Sequence, residues 1–463
     1  MPITGAFIMP HPPIIIPQVG RGEEEKIRKT INSCEVIAKQ IADIKPETIV
    51  LTSPHSLIYS DYFHISQGRM AKGNLRKFGV NEDKFQINVE YDSNFVSCLQ
   101  EEAEKSGIAA GTLGEQDPYL DHGAIVPLAF IHKHYPDFKL VLTGISGFPR
   151  AEHYKYGMCI AKVAGLLNKN VVFLASGDLS HKASYQSHYG FAVEGEMFDE
   201  LVTKAMQNGD FMQFLTFDET MTEKAAECGL RSFIIMAGAL DGVEVKSELL
   251  SYEKTFGIGY GVASFIPTGE NEDRKFLDTY KELANSRLKE IKAKEDEYVK
   301  LARNTVENYI KTGKIPDLPK NLPEEMLFRK AGVFVTLKKY GALRGCIGTI
   351  SPDTKNIAGE ILMNAVSAST KDPRFDPVKA SELPEIEYSV DVLSVPEPIN
   401  STDNLDVKRF GIIVTSGYKR GLLLPDLEGV DNAEKQIKIA CRKAGIRDDE
   451  TFSIERFEVT RHH

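Results

Sequence analysis

Asn170–His181 reads NVVFLASGDLSH, an apolar run of β-branched and aromatic residues that stops at small and polar ones. A run of that length bounded by turn formers predicts a strand buried on both faces. Similar runs lie at 5–9 (GAFIM), 47–53 (ETIVLTS) and 139–146 (KLVLTGIS), and helix-prone stretches such as 24–44 (EEKIRKTINSCEVIAKQIADI) separate them. Strand and helix in alternation predict an α/β domain with a largely parallel sheet flanked by helices, closed by a last strand in 259–269 (GYGVASFIPTG). The expected domain is 1–268. A highly charged, helix-prone connector is expected at 269–289, and a second domain at 290–463, opening with a helix whose apolar positions are Tyr298, Leu301, Ala302, Val306 and Tyr309. From about residue 325 the pattern turns to hairpins, at 332–350 around Tyr340-Gly341 and at 411–426 around Ser416-Gly417, with a late helix ending at Gly445. Hairpins with segregated helices predict α+β.

The whole chain has 463 residues, 42% hydrophobic and 26% charged, as in an ordinary folded protein. A net charge of −10 argues against a chain that neutralises many phosphates, so nucleic acid is not an expected partner. No run reaches the roughly 20 apolar residues of a membrane helix, and the proline-broken N-terminus lacks a basic region, so a cytoplasmic chain is expected. The six cysteines show no CxxC, which argues against a disulfide framework or a zinc finger.

Nine of the 11 histidines lie between His11 and His188. The other two, His462 and His463, end the chain, either natively or as the remnant of a purification tag. His11, His55 and His181 each follow a predicted strand, and the carboxyl ends of parallel strands are where α/β folds build their sites. Three such histidines point to a metal or catalytic centre. The carboxylate candidate is Glu227, with Cys228 beside it, in the helix-like run 222–240 (TEKAAECGLRSFIIMAGAL). Neighbours on a helix point about 100° apart, so one of the two would face the ion. Two histidines and a carboxylate suit Fe(II) with open positions, while zinc tolerates the same ligands. Asp178 either orients an imidazole or caps a helix. His64, His132, His134, His153 and His188 are expected to be structural. The glycines of 257–261 (GIGYG) precede a strand, which makes a poor dinucleotide fingerprint.

Five pieces of the first domain together resemble the Memo family, relatives of class III extradiol ring-cleaving dioxygenases: MPHPP around His11, SPHS around His55, DHGAIVPL around His122, SGDLSH around Asp178 and His181, and ECG around Glu227 and Cys228. The resemblance implies that His11 and His55 are metal ligands with Glu227 as the carboxylate. His181 falls where the dioxygenases keep an acid/base histidine and where Memo proteins contribute a ligand, and His122 is implied as a second active-site imidazole. Animal Memo proteins carry a cysteine where the enzymes carry the carboxylate, and here both types stand side by side. The expected activity is that of a non-haem oxidoreductase with Fe(II), or alternatively Zn or Cu, acting on a small catechol-like or enolic substrate. The alternative is a non-catalytic metal-holding or peptide-binding module.

The second domain resembles the AMMECR family through LRGCIGTI (343–350), STKDPRFDPV (369–378) and the 411–426 hairpin. Arg344 and Cys346 suggest a thiol whose pKa is lowered by a guanidinium, or simply a buried strand pair. The order of the two domains resembles bacterial and archaeal proteins associated with a radical-SAM enzyme. With no CxxxCxxC motif in this chain, a separate partner would supply that cluster.

Overall fold

Alternate residues of the central strands go to opposite sides, which decides how the first domain is layered. In the computed structural model, residues 2–463 are described, apart from 115, 118, 400, 402–404, 427–429, 431 and 448. The chain divides into two compact units, Met1–Leu283 and Ala284–His463.

The first unit contains β1 (Ile3–Met9), β2 (Thr48–Ser53), β3 (Phe63–His64), β4 (Met70–Asn74), β5 (Gln86–Tyr91), β6 (Ala110–Gly111), β7 (Lys139–Gly144), β8 (Val171–Ser176), β9 (Val243–Glu253) and β10 (Tyr260–Glu270). Eight of these form one sheet in the order β4-β5-β7-β2-β8-β1-β10-β9, and β3 pairs with β6 in a small second sheet. The five central strands run parallel, and β4, β10 and β9 add antiparallel edges. Both β2 and β8 are buried throughout, as strands covered by helices on both faces must be.

Ala6, Ile8, Val50, Phe173 and Ala175 pack on one side with residues of helices Arg150–Leu166 and Leu230–Ala239. Phe7, Met9, Ile49, Leu51, Val172 and Leu174 pack on the other with helices Arg28–Ile44 and His122–His134. Burying each large apolar side chain contributes about 1.5–3 kcal/mol, so the two-residue period sets the layering.

Residues 222–240 do not form the single helical run expected from sequence. Helix Glu219–Ala225 ends at Ala226, whose φ is +51°, and a new helix starts at Leu230. At the break the chain packs closely: a Cβ on Gly177 would lie 2.2 Å from the Gly229 Cα, so these two backbones meet with no room for a side chain.

The second unit contains β11 (Val333–Lys339), β12 (Ala342–Gly348), β13 (Ile386–Leu393), β14 (Glu397–Ile399), β15 (Gly411–Ser416), β16 (Lys419–Leu423), β17 (Ser453–Phe457) and β18 (Val459–His462). They form two four-stranded sheets, β12-β11-β13-β18 and β14-β17-β15-β16, each with antiparallel pairs. Tyr340 and Gly341 both have positive φ, +51° and +83°, as a tight two-residue hairpin turn demands. Residues of helices Glu297–Thr312 and Ile357–Thr370 share one core with β11 and β13. His462 lies within β18 opposite Val390, and its ring stacks on Tyr298 at 3.8 Å. The architecture is therefore an α/β unit followed by an α+β unit.

Candidate metal centre

β2, β8 and β1 are parallel neighbours whose ends are level: Thr52 pairs with Ala175 and Met9 with Ser176. The segments leaving them carry His55, Asp178 with His181, and His11. His122 is the first residue of helix His122–His134, whose N-cap is Asp121, and Cys228 comes from the turn between the two helices described above.

His11 Nε2 lies 3.0 Å from His55 Nε2 and 3.6 Å from Cys228 Sγ. Among the described residues, His11, His55 and Cys228 form the group whose ligand atoms all fall within 4.8 Å of one another. Nitrogens about 2.0–2.1 Å and a sulfur about 2.3 Å from one shared ion would be spaced on this scale, so the donor set fits a metal. The His122 ring stacks on His55 at 4.1 Å and meets His11 edge-on at 5.4 Å. Phe78 in turn lies edge-on to His122 at 5.9 Å.

His181 stands outside the trio. Its Nδ1 is 2.6 Å from the Ala226 carbonyl, which can only accept, so the imidazole donates there and leaves Nε2 as an acceptor. The His181 backbone N–H and the Ser180 hydroxyl both donate to the Ala225 carbonyl, so the segment after β8 is tied to the turn that carries Cys228. Asp178 precedes no helix. It accepts the His11 backbone N–H at 2.9 Å, and its other oxygen is 4.0 Å from His11 Nε2. Glu227 also stands outside the trio, accepting the Leu230 N–H at 2.7 Å at the start of the second helix.

Charge is poorly tolerated here. Burial, then the neighbouring imidazoles of His55, His122 and His181, hold His11 well below the usual histidine range. His55 is partly exposed. Even so, loss of solvent on its inner side and then the His122 ring bring it down to about 4. Burial also lowers His122 and His181. Neutral imidazoles with free nitrogen lone pairs are the form a metal needs. Burial raises Asp178 to about 7, and burial with nearby Asp178 and Glu227 pushes the Cys228 thiol well up. Burial raises Glu227 as well.

Several supporting residues escaped the sequence reading. Ser176, the last residue of β8, lies 2.8 Å from His11 Nδ1. Ser53 donates to Asp121 at 2.6 Å and accepts the His55 N–H at 3.2 Å. Buried Asp199 accepts the Ser180 N–H at 2.8 Å and the Tyr252 hydroxyl at 2.7 Å. The signal for the first two was a serine closing a buried strand two residues before a site residue; Asp199 left none. Of the histidines expected to be structural, His153 is fully buried between the Ser146 N–H and the Pro149 carbonyl, and burial lowers it to about 3.

In the second unit, the Arg344 guanidinium is committed elsewhere than to the Cys346 thiol. It donates twice to Glu382, at 3.0 Å each, and to the Asp376 carbonyl at 3.0 Å. Cys346 Sγ instead accepts from the Thr336 hydroxyl at 3.2 Å, directly across β11 and β12. The buried Asp372 accepts the Cys346 N–H at 2.8 Å and pairs with Arg374. No helix among the described residues is long and apolar enough to cross a membrane.

Two family models match the chain: the catalytic LigB subunit of aromatic ring-opening dioxygenase over residues 5–263, and AMMECR1 over 299–462. A protein of Clostridium acetobutylicum is 42% identical over 471 aligned residues, covering 100% of this chain and 99% of its own length. A Thermotoga maritima protein is 51% identical over 170 residues, which is 36% of this chain and 98% of that protein. Among solved structures, the uncharacterized protein PH0010 from Pyrococcus horikoshii is 35% identical, covers 35% of this chain and 88% of its own, and superposes with a TM-score of 0.33. With three neighbouring parallel strands leading into a histidine cluster, and a family match spanning more than half of its length, the chain belongs to the LigB family of aromatic ring-opening dioxygenase subunits, followed in the same polypeptide by an AMMECR1 domain.

Proposed function

We propose that the first unit is a non-haem, metal-dependent oxidoreductase of the extradiol-dioxygenase type, acting on a small catechol-like or enolic molecule. In this reading His11, His55 and Cys228 hold Fe(II), and Glu227 supports the turn that carries the thiol. The observation that carries the proposal is the 3.0 Å approach of two neutral imidazole nitrogens with a sulfur 3.6 Å away. When bound, the ion would supply Lewis acidity and a redox centre.

The protein's own residues supply the proton chemistry. His181, with Nδ1–H committed to the Ala226 carbonyl, offers Nε2 to accept a proton from a substrate hydroxyl. Its lowered pKa keeps that nitrogen unprotonated at neutral pH. His122 stands as a second imidazole against His55, and Asp178, raised to about 7, can keep a proton beside His11 near neutrality. A separate radical-SAM protein as partner and a cytoplasmic location belong to the same proposal.

The thiol favours a second reading, because a sulfur donor suits softer ions such as Zn or Cu and a module that holds metal without turnover. Anaerobic reconstitution with Fe(II), followed by oxygen uptake against a panel of catechols, separates the two. Oxygen consumption with a ring-opened product supports the oxidoreductase. Stoichiometric iron with no consumption on any substrate supports the metal-holding or peptide-binding module.

A further inference from the structure

Ser176 closes β8 with its side chain fully buried, between His11 and the start of helix His122–His134. Its Oγ lies 2.5 Å from the Gly123 carbonyl and 2.8 Å from His11 Nδ1. A carbonyl cannot donate, so the single hydroxyl proton must point to Gly123. The serine oxygen then has only lone pairs left for His11, and His11 Nδ1 must carry the proton. With Nδ1 protonated and the ring neutral, Nε2 is a bare lone pair aimed at His55 and Cys228.

We infer that Ser176 is a positioning residue that fixes His11 as the Nδ1–H tautomer and so presents Nε2 to His55 and Cys228. The inference deepens the proposed function and rests on it for the consequence to metal binding. The relay from imidazole to hydroxyl to backbone carbonyl also ties His11 to the helix that begins with His122. Outer partners that orient a ligating histidine typically contribute 10–100-fold to metal affinity.

The direct test uses the full chain, metal-free, labelled with nitrogen-15 in histidine. Long-range proton–nitrogen correlation spectra distinguish the two ring tautomers, with the His11 signals assigned by loss in His11→Gln. The expected spectrum shows His11 protonated at Nδ1, and an Nε2–H pattern overturns the inference even if neither Ser176 variant folds. Zn(II) titration then compares wild type with Ser176→Ala and Ser176→Thr, each checked by circular dichroism. Ser176→Ala is expected to lose about 10–100-fold in Zn(II) affinity, while Ser176→Thr, which keeps the hydroxyl, stays within about threefold. Equal loss in both folded variants, or none in Ser176→Ala, shows packing rather than positioning and overturns the inference. If wild type binds no Zn(II) or Fe(II), the metal reading itself fails, and the His11 tautomer stands or falls on the spectrum alone.

Discussion

His11 Nε2 and His55 Nε2 face each other across 3.0 Å, although they follow strands β1 and β2, which are separated in the sheet by β8. Two bare lone pairs would repel at that distance. With His11 protonated on Nδ1, the metal-free protein must keep a proton on His55 Nε2, and a cation is the other occupant that makes the approach favourable.

The ligand set can be taken apart by substitution. His11→Ala, His55→Ala and Cys228→Ala are each expected to lower Fe(II) or Zn(II) affinity by at least about 100-fold, beyond the usual effect of an outer partner. Glu227→Ala is expected to keep the metal and to cost roughly 1 kcal/mol of stability through the lost bond to the Leu230 N–H. Metal analysis after dialysis, paired with thermal melts, checks both. Full metal content in Cys228→Ala together with loss in Glu227→Ala would reverse the assignment.

Metal uptake should release a proton. Cys228 lies well above the ordinary thiol range, so the metal-free protein holds a thiol at neutral pH and the ion must displace its proton. Affinity should therefore rise about tenfold per pH unit between pH 6 and 8, and fall as the solution is acidified. Calorimetry in buffers of different ionisation enthalpy counts the released protons, and a count near zero would remove the thiol from the ligand set.

Asp199 makes stability depend on pH in a definite direction. Burial raises its folded-state pKa from 3.8 to about 7. Between those values the folded chain binds more protons than the unfolded one, so unfolding free energy declines as pH rises, by up to about 1.4 kcal/mol per unit. Asp199→Asn removes this contribution. Urea melts should show the variant faring better relative to wild type at pH 7.5 than at pH 4.5, and the same offset at both values would contradict the account.

The Arg344 fork in the second unit predicts a costly conservative change. Arg344→Lys cannot reproduce two parallel bonds to Glu382, and a loss of about 1.5–3 kcal/mol is expected in denaturant titrations. Burial raises Glu382, but the Arg344, Lys379 and Lys339 contacts outweigh it and bring the carboxyl to about 2. The pair therefore stabilises the fold above the ordinary glutamate range and loses its contribution as pH falls toward 2. Thiol alkylation of Cys346 at pH 7 provides an independent readout. Slow modification is expected with Thr336 bonded to the sulfur and Arg344 turned away, whereas rapid modification would return the nucleophile reading.

Much of the fold was legible residue by residue. Runs such as 48–53 and 171–176 are apolar throughout because helices cover both faces, and their alternation assigns Val50 to one core and Ile49 to the other. The Tyr340-Gly341 hairpin was equally plain, since few residue pairs accept two positive φ angles. His11, His55 and His181 could be picked out because each follows a strand, and Glu227 as a carboxylate in a helix-like run, while the implied role of His122 rested on family resemblance.

Local pattern, then, was sufficient for the layers and for which strand ends carry histidines, because burial period and turn chemistry act within a few residues. It was insufficient to choose between Glu227 and Cys228. They sit in a turn that interrupts an otherwise helical run, where Gly229 packs against Gly177 more than fifty positions away. The partner of Arg344 lies 38 residues downstream, and the proton on His11 depends on a serine 165 residues distant. Side-chain direction and hydrogen-bond partners arise from contacts made only when the chain has packed, which is why folding in three dimensions had to decide them.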